Sequence, residues 1–235
     1  MTVNLRYFRT NVKKTDRFMQ EKIHSYESDD IKVTYDLKRC IHAGECVRGL
    51  PEVFDIEKKP WIQPGKSAAE KVADVIEKCP TGALHYEMKK SSREEKPSSK
   101  NRIVLRPNGP VYFFGDLEVQ DHEGNTILED TRFAFCRCGA SGNKPACDNS
   151  HQQMKWKADV KADLSKMPET DSVDGDKLII KLMKDGPAIL DGTYTMESAS
   201  IGAHTSGKGV ALCRCGGSST KPFCDGTHKK NGFEG

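Results

Sequence analysis

Fifty-one residues of this chain are written twice. Shifted by 77 positions, residues 101–151 fall on 178–228 without a gap, and 16 of the 51 pairs are identical. Gly109-Pro110 falls on Gly186-Pro187 and Gly115 on Gly192. The identities crowd at the end of each copy, where CRCGASGNKPACDNSH (136–151) lies on CRCGGSSTKPFCDGTH (213–228). A sequence repeat is a structural repeat, so the second half is expected to fold as two like units packed as a pseudo-twofold pair. Units this small bury too little apolar surface to stand unaided and need a staple.

The cysteines name the staple. There are nine, an odd number, so disulfides cannot pair them all. No stretch reads as a secretory signal or as a membrane span. The expected setting is a reducing one, the cytoplasm, where clustered Cys and His point to metal. The net charge of +3 gives no case for nucleic acid. Its excess sits at residues 1–25, where six basic residues face two acids. Leu5, Phe8 and Val12 there form a loose helical stripe. The plain reading is a solvated extension; an organelle-targeting segment is the other.

Each copy supplies three thiolates and one imidazole: Cys136, Cys138, Cys147 and His151, then Cys213, Cys215, Cys224 and His228. Two cysteines one residue apart can hold one iron from a single turn. A Cys and a His four apart suit the start of a short helix that grips a second. Asp148 and Asp225 follow the third cysteine, where a carboxylate can cap that helix. On donor chemistry alone a tetrahedral zinc fits as well.

The two motifs resemble the CDGSH iron–sulfur family, the mitoNEET type, whose pattern is C-x-C-x2-(S/T)-x3-P-x-C-D-G-(S/A/T)-H. The second copy matches throughout. The first departs once, with Asn149 in place of Gly, and Asn is the side chain that best tolerates positive φ. The resemblance implies a 2Fe–2S cluster in each motif, held by three Cys and one His, and a compact β-rich fold. Single-motif members pair two chains; a tandem member supplies both halves itself. A neutral imidazole in place of a thiolate raises the potential, and a protonated imidazole cannot ligate. Clusters that loosen as pH falls are therefore expected.

The first half carries Cys40 and Cys46 in DLKRCIHAGECVRGLPEVFD (36–55) and Cys79 in EKCPTGALHY (77–86). These segments resemble the divergent mono-cluster ferredoxins. The bacterial run is C-x2-C-x2-C with a distant C-P; here Ala43 stands at the middle position. Three thiolates imply a 3Fe–4S cluster, or a 4Fe–4S cluster whose fourth ligand is water, hydroxide or a His, with His42 adjacent. Phe54 and Trp61 read as core. The segment GKSAAEKVADVIEKC (65–79) reads as a helix with a Ser67–Glu70 capping box.

The expected architecture is α+β. An extension (1–30) leads into a ferredoxin-like cluster domain (31–88). A Ser- and charge-rich linker (89–101) that should not pack precedes a β-rich tandem domain (102–235), with its copies at 102–155 and 177–232. No P-loop, dinucleotide fingerprint or nucleophile–base motif occurs, so no enzymatic activity is expected. The expected partners are a redox protein or apo iron–sulfur proteins, met by a monomer that contains its own internal pair.

Overall fold

The computed structural model describes residues 23–159, 167, 176–198, 202–206 and 209–235. The amphipathic stripe of the leader lies outside them. The first domain is a three-stranded antiparallel sheet in the order β1 (Ile23–Glu27), β2 (Ile31–Asp36), β3 (Leu84–Met88). Strand β1 lies inside the expected extension. It pairs along its length with β2, so the domain includes residues from Ile23 onward.

On β2, Ile31, Val33 and Tyr35 point inward on the alternation of a half-buried strand. They meet Val72, Ala73, Val75 and Ile76 of α2 (Ala69–Ile76). Phe54 is fully buried there, and Trp61 packs edge-on against Tyr35. The capping box does not form. A 3₁₀ turn at Pro64–Lys66 delivers the chain to Ala68 as N-cap, without a side-chain cap. Glu70 instead turns outward to Arg93 and Ser91.

The second domain is an eight-stranded sheet. Two hairpins form at the repeated Gly-Pro turns: β4 (Arg102–Leu105) with β5 (Val111–Gln120), and β7 (Leu178–Leu182) with β8 (Ala188–Asp191). Strand β6 (Thr126–Phe135) pairs with β5, and β11 (Val210–Leu212) with β8. Strands β9 (Tyr194–Ser198) and β10 (Gly202–Ser206) close one edge.

The copies exchange strands. Strand β4 of the first runs parallel to β9 of the second, with Arg102 opposite Thr195 and Ile103 opposite Met196. Strand β7 of the second runs parallel to the far half of β5, with Ile179 opposite Glu118 and Ile180 opposite Val119. The 77-residue shift carries each of these pairs onto the other. One core, including Ile103, Phe113, Phe133, Leu178, Leu190 and Met196, spans both copies.

Most of the segment 89–101 is exposed, as its composition suggests, but Arg93, Glu95 and Asn101 pack, contrary to that reading. Arg93 reaches Glu70, Asp74 and Glu77 on α2. Glu95 lies between the domains, where His85 Nδ1 is 2.9 Å from one of its oxygens and Arg132 pairs with the other. Asp130 completes the seam, 2.6 Å from Arg39 Nη1 and 3.2 Å from His85 Nε2. Arg39 and Arg132 also grip backbone. Arg39 donates to the carbonyls of Thr81 and Arg132, and Arg132 to those of Ile76, Cys79 and Leu84. Arg39, Arg132 and Asp130 are buried and Glu95 nearly so, and each is paired, as burial demands.

Burial works to lower the His85 pKa, yet Asp130 and Glu95 raise it to about 9. Its unfolded value is about 6.5. The seam is therefore fully stabilised by His85 below that value, and the contribution is lost as pH rises through about 9. Urea unfolding at pH 6.5 and 9.5 is expected to give a lower midpoint at the higher pH, and His85→Gln to flatten the difference.

Candidate metal centres

In the first domain, Asp36 ends β2 by accepting the N–H groups of Lys38 and Arg39, which turns the chain into Cys40. His42 and Gly44 then take left-handed backbone at φ 55° and 80°, and Cys46 lies in the first turn of helix α1 (Glu45–Gly49). Cys79 follows α2. Its loop closes at Gly82, φ 65°, where a Cβ would strike the carboxylate of Asp130 at 2.7 Å.

Cys40, Cys46 and Cys79 line one cleft of about 340 Å³ that is partly open to solvent. Ala43 lines it too, presenting a methyl where the ferredoxin run has its middle cysteine. Trp61, taken as core, also forms part of this wall. The exposed His42 does not line it. Burial, with the Cys79 sulfur nearby, pushes the Cys46 thiol up to about 11. A thiolate persists in such a cleft only when a cation neutralises it, which is how a metal site selects its ligand.

The twin motifs have the same build. In each, the C-x-C thiols lie 3.7 Å apart, Cys136 to Cys138 and Cys213 to Cys215. The second pair in each is a thiol and an imidazole Nδ1: Cys147 with His151 at 3.6 Å, and Cys224 with His228 at 3.3 Å. Metal–sulfur bonds of about 2.3 Å and metal–nitrogen bonds of about 2.0 Å at a tetrahedral angle span roughly 3.5–3.8 Å between ligands. Three of the four pairs meet or closely approach that span for one metal atom, and Cys224–His228 falls about 0.2 Å short of it. Among the described residues, no three such groups gather about a single ion position.

The helix after the third cysteine is held as expected, from one residue further back. Asp148 accepts Ser150 N–H and Oγ–H through one oxygen and Gly142 N–H through the other. Asp225 does the same with Thr227 and Ser219. Asn149 (φ 71°) and Gly226 (φ 86°) sit at the N-caps, so asparagine accommodates the glycine conformation. Burial pushes Cys147 up to about 12 and Cys213 to about 11. Burial and the neighbouring Arg137 lower the pKa of His151, which keeps its ring neutral and able to ligate.

The two motifs meet back to back. A Cβ on Gly139 would lie 2.6 Å from the Cys215 carbonyl oxygen, and one on Gly216 closer still to that of Cys138. Trp156 lies between Arg137 of its own copy and Lys221 of the other; Phe233 lies between Arg214 and Lys144. Lys144 and Lys221 therefore bridge the copies. Arg137 carries its charge between thiols of both, Cys213 and Cys138, and its buried Nη1 finds no hydrogen-bond partner among the described residues. A buried cation so placed suits an anionic group held by those sulfurs.

Gly216→Ala adds a methyl where backbone already stands, at φ 73°. It is expected to cost about 1–3 kcal/mol in thermal or urea unfolding, with a matching loss for Gly139→Ala.

Sequence reasoning passed over His85, Glu95, Asp130, Arg39 and Arg132, the seam behind the first site. The available signal was charge on β3 and β6 among residues otherwise patterned as strands.

Comparison with known proteins agrees with this division. Residues 26–89 match the family described as divergent 4Fe-4S mono-cluster. Residues 108–152 and 185–229 each match the family described as iron-binding zinc finger CDGSH type. The uncharacterized protein YjdI of Escherichia coli strain K12 is 41% identical over 64 residues, 27% of this chain and 84% of that one. The YjdI of Escherichia coli O157:H7 gives the same figures. No solved structure matches.

Proposed function

The chain belongs to the divergent 4Fe-4S mono-cluster family in its first domain and to the CDGSH-type iron-binding family in its second, and from that premise we propose that its three sites hold three clusters and carry single electrons between partner proteins. It is an iron–sulfur cluster-binding protein. The observation that carries the finer reading is the pairing of ligands. Each twin motif offers two two-ligand sets, each spaced to within a few tenths of an ångström for one metal atom. A binuclear 2Fe–2S cluster needs that arrangement, whereas a lone zinc needs four groups about one point.

The exchanged strands and reciprocal glycine contacts support a local twofold axis relating the motifs. The first domain, with three thiols and the Ala43 methyl around its cleft, suits a 3Fe–4S cluster or a 4Fe–4S cluster with a non-protein fourth ligand. The clusters supply reversible one-electron chemistry; the protein's part is to hold the thiolates, keep the imidazoles neutral and place Arg137 and Arg214 beside the sulfurs.

In this reading the chain is a carrier and not an enzyme. It works in a reducing compartment as a monomer containing its own pair. No helix among the described residues is long and apolar enough to cross a membrane.

A second reading is favoured by the partial exposure of Cys215, Cys224 and His228: storage or donation of clusters, or redox or pH sensing. Anaerobic purification with iron and sulfide counts and EPR tests the first reading. About seven or eight irons per chain are expected, with two reduced 2Fe–2S signals. A colourless protein folded around zinc would end it. Transfer to an apo-ferredoxin on oxidation would favour the second reading over the first.

A further inference from the structure

The copies share their ligand motif and build, and their surroundings differ. Asn149, the single departure from the repeat motif, donates its side-chain amide to the Ile41 carbonyl at 2.6 Å. Asn143 donates likewise to the Lys38 carbonyl at 3.0 Å. Both acceptors belong to the loop that carries Cys40. Ile41 packs with the buried Cys147, and Ala43 lies against the same cluster. The first domain thus sits directly on the first copy's ligand loop.

Among the described residues the second copy has no such contact. Asn149 corresponds to Gly226 and Asn143 to Thr220, and neither replacement carries an amide. A Cβ on Gly226 would meet nothing within 4 Å among the described residues. Burial follows the same division. His151 is 6% exposed, and Cys138 and Cys147 are buried, whereas His228, Cys215 and Cys224 are all partly exposed.

We propose that the two copies have different duties: the first domain is a fixed lid that seals the first copy's site, and the second copy's site is the one open to exchange with external thiols and chelators. This rests on the reading of both motifs as cluster sites, and it adds which of them meets the outside. Access, rather than ligand chemistry, separates the two, since the ligand sets are the same. A partner that takes up iron and sulfide, or docks to pass an electron, meets the chain at His228.

The test uses the full-length protein as purified anaerobically, challenged with EDTA while iodoacetamide traps each thiol that leaves the metal. Mass spectrometry then dates each cysteine. Cys213, Cys215 and Cys224 are expected to be trapped roughly tenfold sooner than Cys136, Cys138 and Cys147, the factor that about one net hydrogen bond is worth. Transplanting the second copy's residues, as Asn149→Gly with Asn143→Thr, is expected to bring the two sets of rates together. Gly226→Asn, which adds an amide where a Cβ meets nothing within 4 Å among the described residues, is expected to leave the second set fast.

Simultaneous trapping of all six in the unaltered protein, or earlier trapping of the first set, overturns the proposal even if the variants fail to fold. An iron- and sulfide-free preparation would sink the cluster reading. The same cysteines trapped in the same order in that preparation would still uphold the inequality of the copies.

Discussion

Asp130→Asn is expected to split the unfolding of this protein into two steps and to destabilise the folded chain by about 3–5 kcal/mol. The substitution keeps the shape of the side chain and removes its charge. Arg39, with 7% of its side chain exposed, then loses its carboxylate partner, and His85 keeps only Glu95. Stranding buried cations carries that cost because they cannot regain the water they gave up. Burial opposes ionisation of Asp130, yet Arg39 and His85 hold its carboxyl well below the usual carboxylate range. Its contribution is therefore present above the unfolded pKa near 4 and is lost as pH falls through the acid range.

The seam is the main polar fastening between the domains, so the first domain should melt ahead of the second once it is broken. Urea unfolding followed by Trp fluorescence and far-UV circular dichroism reads both effects. Two controls sharpen the result. Lys90→Gln, which breaks an exposed pair with Asp30, is expected to change stability by less than about 1 kcal/mol. Asp130→Asn combined with Arg39→Met removes both charges and should recover part of the loss. A single transition with an unchanged midpoint in Asp130→Asn would show that the seam does not fasten the domains.

Replacing His151 or His228 by Cys is expected to lower the potential of that copy's cluster by on the order of 200 mV, about half the shift that two imidazoles give in Rieske centres. The cause is charge. An imidazole nitrogen is neutral and a thiolate is not, so the exchange places one more negative charge on the oxidised cluster and disfavours the added electron. The pH dependence of that potential should disappear with the imidazole, and bleaching in mild acid should slow, because a proton on the ligating nitrogen no longer competes with iron. Spectroelectrochemical titration at pH 6 and 8 measures both, with an iron count to show that the cluster is retained. An unchanged potential with the cluster in place would remove the imidazole from the ligand set.

The parts of this molecule that could be read from its residues are those that short-range chemistry dictates. C-x-C and C-x3-H spacings recur in both copies, and the distances between those side chains suit, to within a few tenths of an ångström, one metal atom per pair. The paired hairpins at Gly109-Pro110 and Gly186-Pro187 are turn chemistry flanked by strand-forming runs, and both form.

What could not be read was set by distant partners. Residues 89–101 have the composition of a solvated linker because Arg93 and Glu95 are charged, and nothing local shows that α2 and β6 hold their counter-charges. His85 fits no ligand spacing because it pairs with carboxylates 10 and 45 positions away. The capping box at Ser67 and Glu70 failed for a nearer reason: the Pro64 turn delivers the chain to the helix one residue late, which frees Glu70 for Arg93.

The exchange of strands between copies has a consequence for how this chain can change. When two identical chains build such a pair, each substitution is made twice, and both faces drift in step. Here one continuous gene product supplies both halves, so either can be rewritten alone. Asn149 and Gly226 are such a solitary rewriting, and it is joining the pair end to end that permits a symmetrical scaffold to give its two halves unlike neighbours.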